Sequence, residues 1–138
     1  MKKDTNNKVL AIVYSDKGKF LLLKTNPKHM KENSWYVVTG GVKEDESFEE
    51  AVVREVEEET KLKILKVNIT DVFFDYEWPK DSGIFKHEKM FLVKVKHADP
   101  KITAWEHLEW KWLDKKDFLE KIDWYCSKDN LKEALREL

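Results

Sequence analysis

Apolar runs alternate with short polar segments along the first third of the chain. KVLAIVYSDKGKFLLLK, residues 8–24, has two apolar runs separated by Asp16–Gly18, which is the pattern of two strands joined by a turn. WYVV, residues 35–38, is a third β-branched and aromatic run. We expect this run to stop at Gly40–Gly41, because a glycine pair lets the backbone turn sharply and approach a ligand.

One helix interrupts the strands. Ser47 followed by Glu50 has the spacing of a capping box, which predicts a helix over about 47–60. The rest of the chain carries β-rich runs and then apolar residues at helical spacing. These predict strands at 64–69, 72–78, 89–95 and 109–114, and terminal helices within 113–122 and 128–138. The order indicates one α/β domain, residues 1–138, built of packed layers.

The glutamates of REVEEET, residues 54–60, face two ways on the predicted helix. With Arg54 at zero on a helical wheel, Glu58, Glu55 and Glu59 fall near roughly 40°, 100° and 140°. The apolar side chains of the helix occupy the same arc, which packs on the sheet. Glu57 falls near about 300° and faces water. Three carboxylates are therefore predicted to point inward.

The local charge makes this arrangement unfavourable without a partner. Residues 44–59 contain nine acidic side chains and one basic one, in a chain of net charge −1. Two carboxylates about 6 Å apart repel by roughly 3 kcal/mol at an effective dielectric near 20. A solvated acidic face, with Arg54 pairing to Glu50 and Glu58, explains the outward carboxylates but not the inward ones. A hard divalent cation, Mg²⁺ or Mn²⁺, explains them with oxygen ligands.

Composition excludes several classes of function. The net charge provides no basic field to hold a nucleic-acid polymer, although 38% of the 138 residues are charged. No apolar run approaches the 18 or so residues of a membrane span. The single cysteine, Cys126, excludes an internal disulfide and suits a reducing compartment. We therefore expect a cytoplasmic protein without a membrane or nucleic-acid polymer as partner. Its oligomeric state is not indicated.

The segment GGVKEDESFEEAVVREVEEETKL, residues 40–62, closely resembles the Nudix box, G-x5-E-x7-R-E-U-x-E-E-x-G-U, where U is bulky and aliphatic. Eight of the nine defined positions match, at Gly40, Glu46, Arg54, Glu55, Val56, Glu58, Glu59 and Leu62. Lys61 stands where the family has its last glycine, which puts the local turn geometry in question. Asp45 replaces a glycine that many members carry in the loop.

The flanking sequence is similar to particular Nudix members. WYVVTGG and the C-terminal third look like bacterial dATP and dihydroneopterin triphosphate pyrophosphohydrolases. Glu106 and His107, followed by Trp110, Trp112 and Leu113, resemble the corresponding run of diadenosine tetraphosphate hydrolases. The resemblance implies an α/β/α sandwich with a mixed sheet, a loop–helix–loop at the box and C-terminal helices.

The resemblance also implies an activity and a cofactor. Nudix hydrolases cleave the pyrophosphate of a nucleoside diphosphate linked to another group, by attack of water on phosphorus. Magnesium, with manganese possible, is the expected cofactor. Its implied ligands are Glu55, Glu58 and Glu59 with the backbone carbonyl of Gly40, and Arg54 is implied to fix a box glutamate by ion pairing.

Several roles are left open by the sequence. The residue that takes a proton from water is either a box glutamate, for which Glu58 is the candidate, or a carboxylate from a later loop, for which Glu106 is the candidate. Glu46 either stabilises the loop–helix junction or reaches a metal-bound water. Trp35 and Tyr76 are candidates for stacking on a nucleobase, although each is also a normal core residue.

Two other classes of protein compete with a hydrolase. A catalytically silent Nudix-like module would bind a nucleotide without cleaving it, but such members usually lose part of the box that is intact here. A carboxylate-bridged metal oxidase would need Glu-x-x-His pairs on several long helices. The sequence has neither the pairs nor the helices. We therefore expect a nucleotide or nucleotide derivative as the substrate.

Overall fold

The computed structural model describes residues 3–27, 33–124 and 127–138, so Cys126 lies outside the described part. The elements are, in chain order, β1 (Asp4–Ser15), β2 (Phe20–Thr25), β3 (Trp35–Tyr36), β4 (Val38–Lys43), α1 (Phe48–Thr60), β5 (Ile64–Glu77), β6 (Phe85–Val95), β7 (His107–Leu113), α2 (Lys115–Lys121) and α3 (Asp129–Ala134). Among these residues no helix has both the length and the apolar character needed to cross a membrane.

Strand β1 is the centre of a seven-stranded mixed sheet. It pairs antiparallel with β4 on one side and parallel with β6 on the other, and β6 pairs antiparallel with β5. The hairpin from β1 into β2 closes at the pair Tyr14 and Phe20. Strand β2 then pairs with both β3 and β7. The hairpin predicted around Asp16–Gly18 is therefore confirmed.

Both faces of β1 are buried, which explains its unbroken apolar run. One face packs under α1 and the other under α2 and α3, so the chain is an α/β/α sandwich, as expected. Successive side chains of β1 alternate between the two cores. Those facing α1 are Val9, Ala11 and Val13, and those facing α2 and α3 are Leu10, Ile12 and Tyr14.

Helix α1 begins with the predicted capping box. The Ser47 side chain accepts a hydrogen bond from the Glu50 amide at 3.0 Å, and the Glu50 carboxylate accepts one from the Ser47 amide at 3.0 Å. The helix ends at Lys61, whose backbone is left-handed, with φ of 59°. Lys61 thus adopts the conformation of the family glycine that it replaces.

The prediction that the strand at 35–38 stops at the glycine pair is wrong. Strand β4 runs through Gly40 and Gly41, which pair with Val9 and Lys8 of β1. The chain turns only afterwards, near Asp45, which has a positive φ of 69°. Glycine is needed at position 40 for lack of space and not for a turn, because a Cβ there would overlap the carboxyl group of Glu55.

Strands β5 and β6 also differ from their predicted limits. The two runs at 64–69 and 72–78 form one strand, β5, because an irregular register between Ile69 and Phe73 lets the strand continue against β6. Strand β6 begins at Phe85 rather than 89, since its polar first half pairs with the end of β5.

Candidate active site

Arg54 organises the box side of the site. Its Nε and Nη2 donate to the two oxygens of Glu46 at 2.7 and 3.0 Å. Its Nη1 donates to Glu55 at 2.7 Å and to Glu58 at 3.4 Å, and Nη2 also donates to the Gly41 carbonyl at 2.8 Å. The two parallel hydrogen bonds to Glu46 are the strong, bidentate form of an arginine–carboxylate interaction. Arg54 therefore ties the 43–47 loop and strand β4 to helix α1.

Glu46 stabilises the loop before the helix. Its carboxylate also accepts a hydrogen bond from the Lys43 amide at 2.9 Å. The hydrogen bonds from Arg54, followed by the Lys43 amide and the nearby positive charges, hold the pKa of Glu46 below its ordinary value despite partial burial. The same contacts with Glu46 and Glu55 raise the pKa of Arg54 further above its already high value. Of the two roles left open for Glu46, these contacts support stabilisation of the loop–helix junction.

Gly40 allows the helix to approach the sheet closely. Any side chain at this position would occupy the space of the Glu55 carboxyl group. The Glu55 side chain is only 14% exposed, and Arg54 holds it from the other side. Glu55 therefore lies in a fixed position between β4 and the arginine.

Glu59 is the most deeply buried carboxylate of α1, with 7% of the residue exposed. His107 Nε2, at the start of β7, lies 3.6 Å from its Oε1. Ligand atoms of Glu59, Glu106 and His107 all lie within 4.8 Å of one another. Among the described residues no group hydrogen-bonds to Oε2 of Glu59. A buried carboxylate oxygen without a hydrogen bond is energetically costly unless a bound ligand supplies a partner for it.

The surroundings of Glu59 disfavour its charge. Burial, and then the neighbouring carboxyl group of Glu55 and the charges of Glu106 and Glu58, raise the pKa of Glu59 well above its ordinary value. Burial and like charges act in the same direction on a carboxyl group. A bound cation would act in the opposite direction and favour the charged carboxylate.

The loop before β7 brings Glu106 to this cluster. The Thr103 carbonyl accepts hydrogen bonds from the amides of Glu106 and His107 at 3.1 and 2.9 Å, and the Glu106 carbonyl accepts one from the Asn26 amide at 3.0 Å. These bonds tie the loop to the end of β2. The Lys101 amide donates to the Thr60 carbonyl at 2.8 Å, which ties the same loop to the end of α1.

These groups suit a hard divalent cation. Carboxyl groups predominate around Glu59, with one imidazole from His107, and oxygen donors of this kind favour Mg²⁺ or Mn²⁺. Oε2 of Glu59 accepts no hydrogen bond among the described residues, and burial with neighbouring carboxyl groups raises the pKa of Glu59, so the cluster would gain from a cation. The residues present therefore fit a bound metal.

The NUDIX domain profile matches residues 4–134. The chain belongs to the Nudix family. It is 28% identical over 119 residues to the dihydroneopterin triphosphate diphosphatase of Escherichia coli K12, a match that covers 77% of this chain and 76% of that protein. Its fold and family together make the chain a Nudix hydrolase. Members of this family generally use divalent metal ions.

Solved Nudix structures have the same fold. The structure of the E. coli dihydroneopterin triphosphate pyrophosphohydrolase matches with a TM-score of 0.76 and 19% identity, covering 100% of both chains. A binary complex of Ap4A hydrolase from C. elegans matches with a TM-score of 0.68 and 25% identity, covering 94% of this chain and 92% of that one.

One of the three box glutamates predicted to point inward does not. The side chain of Glu58 is 57% exposed, whereas those of Glu55 and Glu59 are 14% and 6% exposed. The buried residues of α1 centre near roughly 160° on the helical wheel used above, so Glu58 lies at the margin of the buried arc. Glu58 contacts Arg54 at 3.4 Å from the solvent side.

His107 is the residue of this Nudix site that the sequence did not identify. The register between β2 and β7 shifts at Lys24 and Thr25, so that His107 pairs with Thr25. This shift turns His107 towards α1. The signal in the sequence is the resemblance of Glu106 and His107 to the corresponding run of diadenosine tetraphosphate hydrolases.

The two aromatic candidates lie away from the acidic cluster. Trp35 on β3 packs against the core under α2 and α3, and Lys24, Lys111 and Lys121 place their Nζ atoms 5.0 to 5.8 Å from its ring. Tyr76 donates from its hydroxyl to Glu88 at 3.4 Å. The acidic cluster around Glu59 and these two rings are therefore on opposite sides of the sheet.

Proposed function

We propose that this Nudix hydrolase cleaves a pyrophosphate bond in a nucleoside diphosphate linked to another group, using Mg²⁺ or Mn²⁺. Nucleoside triphosphates and dinucleoside polyphosphates are the substrate types. The observation that carries the proposal is the buried Glu59, whose Oε2 accepts no hydrogen bond among the described residues and whose neighbours are carboxylates. The E. coli relative named above is a triphosphate diphosphatase, which supports this substrate class.

The metal would be held by Glu55, Glu59 and the Gly40 carbonyl, with Glu58 contributing from the solvent side. Glu106 and His107 are further donors at the same cluster. When bound there, a divalent cation neutralises charge on the pyrophosphate oxygens and lowers the pKa of water. The exposed position of Glu58 makes it a weaker ligand than its two neighbours in the box.

The chain's own residues have distinct tasks in this proposal. Arg54 is a positioning residue, because it donates a hydrogen bond to Glu55 at 2.7 Å and its other N–H groups are occupied by contacts within the box. Glu106 is half-buried at the edge of the cluster, so its carboxylate can take the proton of the attacking water. Glu58 remains the alternative base, since its exposed carboxylate also borders the site.

Glu59→Gln tests the proposal directly. A panel of nucleoside triphosphates, dinucleoside polyphosphates and nucleotide sugars is incubated with Mg²⁺, with Mn²⁺ or with EDTA, and release of monophosphate or pyrophosphate is measured. The wild type should turn over at least one of them only with metal. Glu59→Gln should lower turnover at least about a hundredfold, since even an outer partner of a metal site is worth about 10- to 100-fold.

The control is Glu57→Gln, which removes an exposed carboxylate two residues away and should leave turnover within about twofold. Full activity of Glu59→Gln would refute the ligand assignment. A wild type with no metal-dependent turnover on the whole panel would favour the second candidate, a nucleotide-binding module that has lost catalysis.

We propose that residues 1–138 act as one catalytic domain and that the protein works in the cytoplasm, which the single cysteine supports. Nucleic-acid polymers are not proposed as partners, because the net charge is −1.

A further inference from the structure

An exposed indole lies on the turn that carries Glu106 into the metal cluster. Trp105, directly before Glu106, is 61% exposed. Within the described part of the chain three other aromatic residues are exposed, and Phe73, Trp78 and Phe85 all lie on or beside β5 and β6. Trp105 is therefore the exposed aromatic residue that adjoins the cluster, among the residues that the structure describes.

Trp105 lies at the tip of a turn that hydrogen bonds hold in place. The Glu106 amide donates to the Thr103 carbonyl at 3.1 Å, so Ala104 and Trp105 are the two central residues of a β-turn. Asn26 contacts the peptide groups on both sides of Trp105. Its Nδ2 donates to the Ala104 carbonyl at 2.7 Å, and its backbone amide donates to the Glu106 carbonyl at 3.0 Å. Because Asn26 is buried, the backbone that carries the indole is fixed from within the fold.

The indole is close enough to the cluster for one nucleotide to reach both. Ligand atoms of Glu106, Glu59 and His107 lie within 4.8 Å of one another. Consecutive Cα atoms are about 3.8 Å apart, so the Trp105 ring is at most roughly 13 Å from the Glu106 carboxylate. An extended nucleotide spans a comparable length from its 5′-phosphate to its base. A substrate with its phosphates at the cluster can therefore reach this ring without crossing the sheet.

We propose that Trp105 stacks on the base of the substrate nucleotide while the phosphates occupy the metal cluster. The two rings selected from the sequence for this task, Trp35 and Tyr76, lie on the other side of the sheet. Stacking on an aromatic side chain tolerates any base, because every base has a π face. The substrate would thus be recognised by the face of its ring, and purine and pyrimidine nucleotides would bind alike. The inference rests on the proposed function, which supplies the phosphate end of the site.

Kinetics with Mg²⁺ separate stacking from a structural role of Trp105. KM and kcat are measured for the best nucleotide substrate of the panel and for its counterparts with other bases, which should agree in KM within about tenfold. Inorganic tripolyphosphate, which has phosphates and no ring, is measured as a competitive inhibitor. Trp105→Ala should raise KM for each nucleotide by about 5- to 100-fold, the range for stacking on one base. It should leave kcat within about threefold and the inhibition constant of tripolyphosphate within about twofold.

Two further variants complete the test. Trp105→Phe retains an aromatic face and should return KM to within about fivefold of the wild-type value. Phe85→Ala is the matched control, because Phe85 is 65% exposed and begins β6, which β1 separates from β2, the partner of β7. This control should change neither KM nor the inhibition constant.

Unchanged KM values in Trp105→Ala would overturn the inference and leave the proposed hydrolase intact. An equal loss for tripolyphosphate and the nucleotides would also overturn it, since the residue would then act only by positioning Glu106. So would counterparts that differ in KM by more than about tenfold, because the ring face would not be the feature recognised.

Calorimetry with Mg²⁺ replaces kinetics if the wild type turns over no nucleotide. Nucleotide binding that Trp105→Ala weakens and Trp105→Phe restores would then support this inference and refute the proposed hydrolase. A wild type that neither binds nor cleaves any nucleotide would overturn both.

Discussion

Replacing Glu59 by glutamine should stabilise the metal-free protein. The carboxylate of Glu59 is buried beside Glu106 and His107, with ligand atoms within 4.8 Å of one another. At that distance two carboxylate charges repel by roughly 3 kcal/mol at an effective dielectric near 20. Because Glu106 is partly exposed and water screens its charge, we expect Glu59→Gln to raise the free energy of unfolding by about 1–3 kcal/mol at pH 8 in EDTA.

The effect has a defined pH dependence. The folded-state pKa of Glu59 is raised above its unfolded value, first by burial and then by the neighbouring carboxylates. Below the ordinary carboxyl pKa, near about 4.3, Glu59 is protonated in both states and the two proteins should be equally stable. As pH rises towards the folded-state pKa, the wild type loses stability and the glutamine variant does not. The difference therefore grows with pH and then stays constant.

Urea denaturation at several pH values, with EDTA or with saturating Mg²⁺, measures this difference. Metal that binds only the folded state stabilises the wild type, so Mg²⁺ should narrow or reverse the advantage of Glu59→Gln. Glu57→Gln should be neutral throughout, since Glu57 is exposed. A Glu59→Gln variant that is less stable than wild type in EDTA would refute the reasoning.

Two further predictions concern the Nudix box. Lys61→Gly should raise the free energy of unfolding by about 0.5–1 kcal/mol, because a left-handed non-glycine residue costs about 1–2 kcal/mol and the backbone entropy of glycine offsets part of that gain. Asp45→Gly should change the free energy of unfolding less, since aspartate tolerates the left-handed conformation. Equal effects of the two substitutions in urea titrations would contradict the argument. Arg54→Lys should lower the free energy of unfolding by about 2 kcal/mol and reduce turnover, because lysine cannot donate the two parallel hydrogen bonds to Glu46. Arg136→Lys, in an exposed pair, is its control and should stay within about 0.5 kcal/mol.

Features set by neighbouring residues were predictable from the sequence. The capping box of Ser47 and Glu50 depends on residues three apart, and the first hairpin depends on a turn of a few residues. The buried arc of α1 was predicted in outline because helical periodicity is local. The exposure of Glu58 was not, because the centre of the buried arc depends on where the sheet lies beneath the helix.

Features set by distant contacts were not predictable. Gly40 lies inside a strand because Glu55, fifteen residues later, occupies the space of its side chain. His107 faces the site because of a register shift against Thr25, more than eighty residues earlier. Neither relation leaves a periodic pattern. A glycine pair reads as a turn, and a lone histidine reads as a surface residue, until the packing of other elements is known.

The hydrogen bonds of Arg54 explain why the site favours a cation from solution. A guanidinium group has five N–H donors. All are used within the box, in contacts with Glu46, Glu55, Glu58 and the Gly41 carbonyl. None is left for Glu59, although it is the most buried carboxylate of the helix. Since the arginine of the box has no donor left for Glu59, a divalent ion bound there would supply the positive charge, and this is the physical basis of the proposed metal dependence.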